Sequence, residues 1–372
     1  MQLCYIYSQV KNIYIKTFGC AQNESDSERV KAFYAEKGDV FVDSWKEADI
    51  VIINSCVIRE SAENRVYGLI DNIKKFDPKI EIILTGCLVP ISKNKIKGVD
   101  KMLPIKEISF ELEPLRDKTR AALITISSGC NNYCSYCIVP YSRGQEVSRK
   151  MEEILKEVDR AMEKGFEEIV LIGQNVNSYG ADLNPSKPTP NPSLDKEGRT
   201  EMDKLSSVSM GKRRFHSLFP KLLEEVAKKG LKKVSFLSSN PWDFSEELIE
   251  TIAKYPNVDR LLHLPFQAGD NEILKKMNRG YTRQEYLDLV KRIRNKVPEV
   301  RFSTDIIIGF PGEDEAAFEK TVEVCKEVGF EIAYINKYSP RRGTVSATLY
   351  QDEILMKEKK RRWKILNRLV NE

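Results

Sequence analysis

The sequence predicts an α/β protein in which an N-terminal parallel-sheet α/β domain is followed by a partial (β/α)6 barrel. Two observations predict it. Short apolar, β-branched runs alternate with longer helical patterns along most of the chain, as expected of parallel strands joined by right-handed crossovers. Three cysteines, Cys20, Cys56 and Cys87, each stand at the turn between such a strand and such a helix. In a parallel sheet those turns share the carboxyl edge of the strands, where ligands bind.

The first domain is read over residues 10–118. The run Asn12-Ile13-Tyr14-Ile15-Lys16-Thr17 leads through Phe18-Gly19 to Cys20. Asp49 to Asn54 leads through Ser55 to Cys56, and Glu81 to Thr85 through Gly86 to Cys87. The spacing Ser25-Asp26-Ser27-Glu28 predicts a capping box at the start of the first helix. Pro104 to Pro114 closes the domain. A buried free cysteine commonly behaves as a small hydrophobe. Three of them in equivalent turns predict instead one shared three-thiolate site.

The second domain is read over residues 119–350. The strand Ala121 to Ile126 delivers the chain to Cys130-Asn131-Asn132-Tyr133-Cys134-Ser135-Tyr136-Cys137. Further strands are expected at Glu168–Ile172, Lys233–Leu237, Arg260–Leu264, Arg301–Ile308 and Ile332–Lys337. Helices are expected at Glu152–Lys164, Pro220–Lys229, Glu246–Lys254, Arg283–Lys296 and Glu315–Val328. Six strands with intervening helices predict a partial barrel whose site lies at the carboxyl ends of the strands. Residues 181–214, with Pro185, Pro188, Pro190 and Pro192 and no hydrophobic period, read as a disordered surface insertion. Its Lys212-Arg213-Arg214 leaves a lid or RNA-contacting arm open. Residues 351–372 read as a C-terminal basic helix with Ile365, Leu366, Leu369 and Val370 on its apolar side, for docking or for phosphate contact.

Cys130, Cys134 and Cys137 are spaced Cys-x3-Cys-x2-Cys. A structural zinc or an ordinary electron-transfer cluster takes four protein ligands. Three thiolates on a [4Fe–4S] cluster leave one iron open for chemistry. The 8 cysteines also include Cys4 and Cys325, which fit neither pattern and read as structural or incidental. With only two histidines, His216 and His263, histidine relays and histidine-rich metal sites are nearly excluded. The 372 residues carry a net charge of +5, which permits a nucleic-acid substrate without demanding one. No apolar run approaches the roughly 20 residues needed to cross a bilayer, and no secretory signal is evident at the N-terminus. A cytoplasmic protein with no membrane partner is expected.

Several motifs carry a resemblance. They are Thr17-Phe18-Gly19-Cys20-x-x-Asn23-x-x-Asp26-Ser27-Glu28, Asn54-Ser55-Cys56-x-x-Arg59 and Thr85-Gly86-Cys87. They continue through Gly129 to Arg143-Gly144, Gly173-Gln174-Asn175-Val176-Asn177-Ser178-Tyr179 and Leu262-His263-Leu264-Pro265-x-Gln267. Met277-Asn278-Arg279-x-Tyr281-Thr282 and Thr304-Asp305-Ile306-Ile307-Ile308-Gly309-Phe310-Pro311-Gly312-Glu313 complete the set. Over nearly the whole chain outside the insertion, the sequence resembles the radical S-adenosylmethionine methylthiotransferases. Cys137 to Gly144 and Leu237-Ser238-Ser239-x-Pro241-x-Asp243-Phe244 are most similar to the branch that acts on N6-isopentenyladenosine at position 37 of tRNA. Branches acting on threonylcarbamoyladenosine or on a ribosomal-protein aspartate share the machinery. A non-catalytic iron–sulfur or RNA-interaction protein on the same fold is the alternative of another class.

The resemblance implies two [4Fe–4S] clusters, one on Cys20, Cys56 and Cys87 and one on the catalytic Cys130, Cys134 and Cys137. It implies S-adenosylmethionine at the open iron of the latter, cleaved to a 5′-deoxyadenosyl radical, with sulfur delivered from the former to C2 of the adenine. The substrate would be the tRNA anticodon loop, whose unpaired adenosine 37 can be splayed out. A reduced flavodoxin- or ferredoxin-type electron donor and a monomer are further expectations. Gln174, Asn175, Gly309, Gly312 and Glu313 are candidate cofactor contacts. Gln174 and Asn175 also suit turn caps, Gly312 a tight turn and Glu313 a helix cap. Arg143 suits a carboxylate, a phosphate or a surface ion pair, and His263 a satisfied strand position. Two motifs depart from the family pattern: Ser239-Asn240-Pro241 replaces Ser-His-Pro, and Gln267-Ala268-Gly269 replaces Gln-Ser-Gly. Family members carry a C-terminal TRAM domain, expected to be absent here because the chain ends at Glu372.

Overall fold

The computed structural model describes residues 10–58, 60–92, 94–107, 112–117, 121–183 and 217–372. Cys4, Arg59, His216 and residues 184–214 of the expected insertion, Lys212-Arg213-Arg214 among them, lie outside the described residues. The chain divides into two compact units, Met1–Leu123 with Tyr141–Arg143, and Ile124–Pro140 with Gly144–Glu372.

The first unit is a five-stranded sheet in the order β2-β1-β3-β4-β5. Its strands are β1 Asn12–Thr17, β2 Val40–Phe41, β3 Ile50–Ser55, β4 Glu81–Gly86 and β5 Lys101–Met102. Every neighbouring pair is parallel. β3, central and buried along its whole length, is the apolar Ile50-Val51-Ile52-Ile53 run that a two-sided sheet requires. Helix α1 (Ala21–Glu36) covers it with Val30 and Tyr34 against Ile13, Ile50, Ile52 and Ile83. Helix α2 (Glu60–Phe76) buries Val66, Ile70 and Ile73.

The expected capping box is not formed. α1 starts directly after Cys20, which occupies the N-cap position, and the Cys20 carbonyl accepts the Glu24 amide at 3.1 Å. Ser25 to Glu28 therefore sit inside the helix. Ser25, Asp26 and Ser27 are buried along with Gln22, Asn23 and Arg29. The polar spacing reflects a buried hydrogen-bonding face, which a capping motif mimics in sequence.

The second unit carries two three-stranded sheets, ordered β10-β9-β6 and β11-β12-β13. Their strands are β6 Ala122–Thr125, β9 Glu168–Ile172, β10 Lys233–Phe236, β11 Leu261–His263, β12 Arg301–Ile308 and β13 Ile332–Lys337. A parallel bridge from Val234 to Val258, just before β11, joins the two halves. The six strands thus run in one order, forming a partial β/α barrel. Its crossover helices are α4 (Met151–Glu163), α5 (Phe219–Ala227), α6 (Glu246–Lys254), α8 (Arg283–Lys296) and α9 (Glu315–Val328). The short antiparallel pair β7 (Ser127–Ser128) and β8 (Val147–Ser148) brackets the Cys130 loop. That pair, the short helix α3 (Val139–Arg143), helix α7 (Asn271–Lys276) and helix α10 (Val345–Leu349) have no hydrophobic period long enough to be read from sequence.

The C-terminal helix α11 (Met356–Val370) docks through Lys359, Arg362 and Leu366, while Ile365 and Leu369 are exposed. The apolar face read from sequence is therefore only partly the buried one. The basic residues are drawn inward because carboxylates wait for them. Lys359 Nζ meets Asp352 at 2.6 Å, and Arg362 Nη1 meets Glu313 at 2.7 Å.

In the first unit, burial pushes the Glu28 carboxyl up to about 7, against the opposing pull of Arg116 and Arg29. A raised folded-state value means that the native state keeps a proton the unfolded chain releases. The associated stability is complete below about pH 4.5 and is lost as pH rises through about 7. The upper figure is about 3 kcal/mol, at roughly 1.4 kcal/mol per pH unit. Glu28→Gln is expected to flatten this falling limb, so that urea midpoints measured from pH 4.5 to 7.5 vary less than in the wild type.

Two candidate cysteine sites

Cys20, Cys56 and Cys87 follow β1, β3 and β4, three adjacent strands of the first unit. The registers pair Thr17 with Asn54 and Asn54 with Thr85, so the three strands end level and the cysteine turns share one edge. The edge is built from amides. The Phe18 amide donates to the Asn54 carbonyl at 2.8 Å and the Cys87 amide to the Ser55 carbonyl at 2.9 Å. Asn54 Nδ2 donates to the Asn23 carbonyl and to Ser27 Oγ, while Asn23 Nδ2 donates back to Asn54 Oδ1. This lock ties the first turn of α1 to the end of β3. Gly86, at φ +92°, is required because a Cβ there would collide with the Ser55 carbonyl and the Asn54 side chain.

Cys56 and Cys87 are buried and Cys20 is exposed. Burial pushes the Cys87 thiol up to about 11; Arg143 opposes the shift, and Cys20 and Cys56 add to it. The Cys20 and Cys56 sulfurs thus lie near enough for their charge to act on Cys87. Among the described residues no set of three ligating side chains closes to ion-holding distances. The structure shows proximity rather than a closed ligand set. Arg143 Nε donates to Cys87 Sγ at 3.2 Å, and its Nη2 donates to Asp26 Oδ2 at 2.8 Å. Arg143, which groups with the first unit, is therefore neither exposed nor paired at the surface.

In the second unit, Cys130, Cys134 and Cys137 follow β6 and β7. Gly129, at φ +83°, admits the tight entry to this loop, where a Cβ would run into the Gln145 carbonyl. Gln174 Oε1 accepts the Gly129 amide at 2.5 Å, and the Cys130 amide donates to the Gly144 carbonyl at 3.2 Å. Asn278 Nδ2 donates to the Tyr133 carbonyl, and Ser135 Oγ donates to the Lys276 carbonyl. Burial first, then Cys134 and Cys137, push the Cys130 thiol well above its ordinary value.

Sequence reasoning quoted Arg279 within a motif but gave it no role. It is buried, with Trp242 and Tyr281 packed against its guanidinium at 4.6 and 5.3 Å. It donates to the Pro265 carbonyl at 3.1 Å, with Cys134 Sγ and Tyr136 Oη at 3.5 Å. Among the described residues no carboxylate lies within ion-pair distance of it. A buried cation without an anion costs several kcal/mol, so an anionic group beside Cys134 would relieve it. Its sequence signal is its place in the Met277-Asn278-Arg279-x-Tyr281-Thr282 motif.

The carboxyl ends of the barrel strands hold further unsatisfied groups. Ser127 Oγ, Asn175 Oδ1, Ser239 Oγ, Gln267 Oε1 and Glu313 Oε1 are buried with no hydrogen-bond partner, one after each of β6, β9, β10, β11 and β12. Such groups are rare in native interiors and suit a polar ligand. Ser238 and Gln267, with Tyr133 and Asn278, have positive φ without being glycine, a strain that gathers at functional sites. Together with the thiols, this rim fits a three-thiolate cluster carrying S-adenosylmethionine.

The predicted cofactor contacts divide. Gln174 braces the Cys130 loop. Asn175 donates to Asp243 Oδ2 at 2.8 Å while its oxygen stays free of partners. A Cβ at Gly309 would run into the buried Lys359 stem, whereas at Gly312 it would meet only the movable Lys276 ammonium, and the positive φ of +85° is what favours glycine there. Glu313 accepts the Gly309 amide and the Arg362 guanidinium through Oε2, leaving Oε1 unsatisfied. Burial raises its carboxyl, opposed by those two donors. His263 bridges Ser303 Oγ and Asp305 Oδ2 at 3.1 and 3.0 Å, a satisfied strand position. In the two motifs that depart from the family pattern, the retained Ser239 and Gln267 reach the rim, and Asn240, which stands where the family has His, is buried beside it in sequence. Ala268 is buried, and Gly269 abuts the Lys320 backbone.

Two family profiles match the chain: the radical SAM superfamily over residues 124–325, and the uncharacterized protein family UPF0004 over residues 12–105. The tRNA-2-methylthio-N(6)-dimethylallyladenosine synthase of Thermotoga petrophila is 38% identical, over 96% of this chain and 83% of its own. The protein of the same name from Thermodesulfovibrio yellowstonii is 37% identical, over 91% and 78%. Among solved structures, the radical S-adenosylmethionine methyltransferase TsrM from Kitasatospora setae, with cobalamin and a [4Fe–4S] cluster bound, superposes with a TM-score of 0.59. It is 12% identical over 91% of this chain and 77% of its own, a likeness of fold alone. With the cysteine loop at the rim of a partial barrel and relatives 36–38% identical over at least 91% of its length, the chain belongs to the radical SAM superfamily and, within it, to the tRNA methylthiotransferases.

Proposed function

We propose that the chain installs a methylthio group at C2 of N6-isopentenyladenosine 37 in tRNA, using clusters on Cys20, Cys56 and Cys87 and on Cys130, Cys134 and Cys137. The observation that carries the reading is the pairing of two three-cysteine strand-end sites in a chain whose relatives bear that activity in their names. When bound, the clusters and S-adenosylmethionine supply reductive cleavage to a carbon radical, a methyl group and the sulfur to be inserted.

The chain's own residues bind, orient and shield. Cys130, Cys134 and Cys137 would hold the cluster through three thiolates, which would leave one iron without a protein ligand for the amino and carboxylate groups of S-adenosylmethionine. Arg279 places a cation beside Cys134, where it offsets thiolate charge or meets the ligand's carboxylate. Ser127, Asn175, Ser239 and Gln267 present their unsatisfied oxygens to the ligand's hydroxyl and amine groups. Gln174 and Asn278 brace the cysteine loop. Glu313, with Gly309, holds the end of β12 against Lys359 and Arg362 of α11, and its unsatisfied Oε1 is open to a cofactor. Loading either site must displace protons, because burial raises the Cys87 and Cys130 thiols above their ordinary value and a thiol must lose its proton to bind metal.

The substrate is tRNA, whose anticodon loop presents the adenine unpaired. A cytoplasmic monomer fed by a reduced flavodoxin- or ferredoxin-type donor completes the proposal. Consistent with that setting, no helix among the described residues is long and apolar enough to cross a membrane.

Anaerobic reconstitution is expected to give about eight irons per chain, falling to about four in the Cys130/Cys134/Cys137 triple alanine variant. About four in the wild type and none in the variant would remove the Cys20, Cys56 and Cys87 site from the reading. In cells lacking the gene, nucleoside analysis of tRNA is expected to show 2-methylthio-N6-isopentenyladenosine replaced by N6-isopentenyladenosine. An unchanged methylthio pool would sink the tRNA assignment and return attention to a protein substrate.

A further inference from the structure

We propose that Arg143 is a positioning residue of the Cys20, Cys56 and Cys87 site, which Asp26 aims so that it binds the Cys87 sulfur and reaches a small sulfur anion of the hydrosulfide class held there. The inference rests on the reading that these cysteines hold a cluster. Three observations carry it. Arg143 Nε donates to Cys87 Sγ at 3.2 Å. Nη2 is fixed by Asp26 Oδ2 at 2.8 Å, with both side chains about 95% buried, at 4% and 5% exposure. Nη1 is buried and has no hydrogen-bond partner. A guanidinium clamped at two of its nitrogens cannot turn its third away. The third N–H is thus held in place and unsatisfied beside a three-thiol site.

The unsatisfied donor calls for an acceptor, since a buried N–H left unpaired costs about 1–3 kcal/mol. Thr85 Oγ1, on the strand that delivers Cys87, is likewise buried without a partner. A guanidinium at the Cys87 sulfur and a hydroxyl two residues before Cys87 on the same strand, both with an unsatisfied hydrogen, suit an anion that accepts from each. Sulfur anions are large and weakly solvated, and a planar guanidinium matches them better than a compact ammonium. The alternative, a purely structural Arg143–Asp26 ion pair, explains Nη2 but neither the sulfur contact nor the unsatisfied Nη1.

The test uses the full chain carrying the Cys130/Cys134/Cys137 triple alanine change, so that only the first site loads. Arg143→Gln, Arg143→Lys and Asp26→Asn are made in that background. Iron content, the midpoint potential of the cluster and the hydrosulfide titration of its electron paramagnetic resonance signal are then measured. Removing a cationic donor from a ligating sulfur makes reduction harder. Arg143→Gln is therefore expected to keep about four irons, to shift the potential negative and to weaken hydrosulfide binding about tenfold or more. Arg143→Lys should restore part of the potential but little of the hydrosulfide affinity, and Asp26→Asn should fall between. If Arg143→Gln fails to hold iron, the same two readouts in Arg143→Lys and Asp26→Asn decide the question. Unchanged potential and unchanged titration in iron-loaded variants would overturn the role of Arg143 and leave the cluster standing. No iron in the triple-alanine parent would overturn the reading beneath it.

Discussion

A cysteine sulfur buried at the end of a parallel strand cannot hold negative charge by itself, and the arrangement of both units follows from that. Desolvation drives the Cys87 thiol up to about 11 and the Cys130 thiol well above its ordinary value, so each stays protonated until a metal takes the proton's place. The strand ends put the thiols there because the carboxyl edge of a parallel sheet is where βα turns converge. Each unit then adds a buried arginine within reach of one sulfur, Arg143 at Cys87 and Arg279 at Cys134. A permanent cation lowers the cost of the thiolate, and the thiolate lowers the cost of burying the cation.

The two arginines are held differently, and the difference is chemical. Arg143 is anchored by a carboxylate, so its orientation survives whether or not an anion is present. Arg279 is held by aromatic faces, a carbonyl and phenols, none of which neutralises it. An anchored arginine presents a fixed hydrogen-bond direction. One caged in aromatics presents charge and waits for a counter-ion. The first suits a sulfur that must be delivered from one direction, and the second suits a zwitterionic cofactor arriving with its own carboxylate.

Much of this was legible from sequence, for identifiable reasons. β1, β9, β12 and β13 and helices α6, α8 and α9 begin and end where the hydrophobic period begins and ends, because each buries an apolar face against a neighbour. The six cysteines stood out because turn position and local spacing are both sequence properties. What was hidden was whatever depends on pairing across the chain. The Ser25 to Glu28 capping signal was a buried polar face, distinguishable only once Asn54 and Arg143 are known to meet it. The α11 stripe misled because Lys359 and Arg362 are buried beside Asp352 and Glu313, and periodicity assigns charged residues to solvent.

The same logic separates two kinds of residue among the predicted contacts. Gly309 and Gln174 have internal partners: the first makes room for the buried Lys359 stem, and the second accepts the Gly129 amide. Asn175, Gln267 and Ser239 keep an unpaired oxygen at the rim. A motif in sequence marks both kinds alike, since each is constrained. Only the satisfaction of hydrogen bonds distinguishes a residue that shapes the pocket from one that still has something to bind, and at this rim the latter kind follow successive strands.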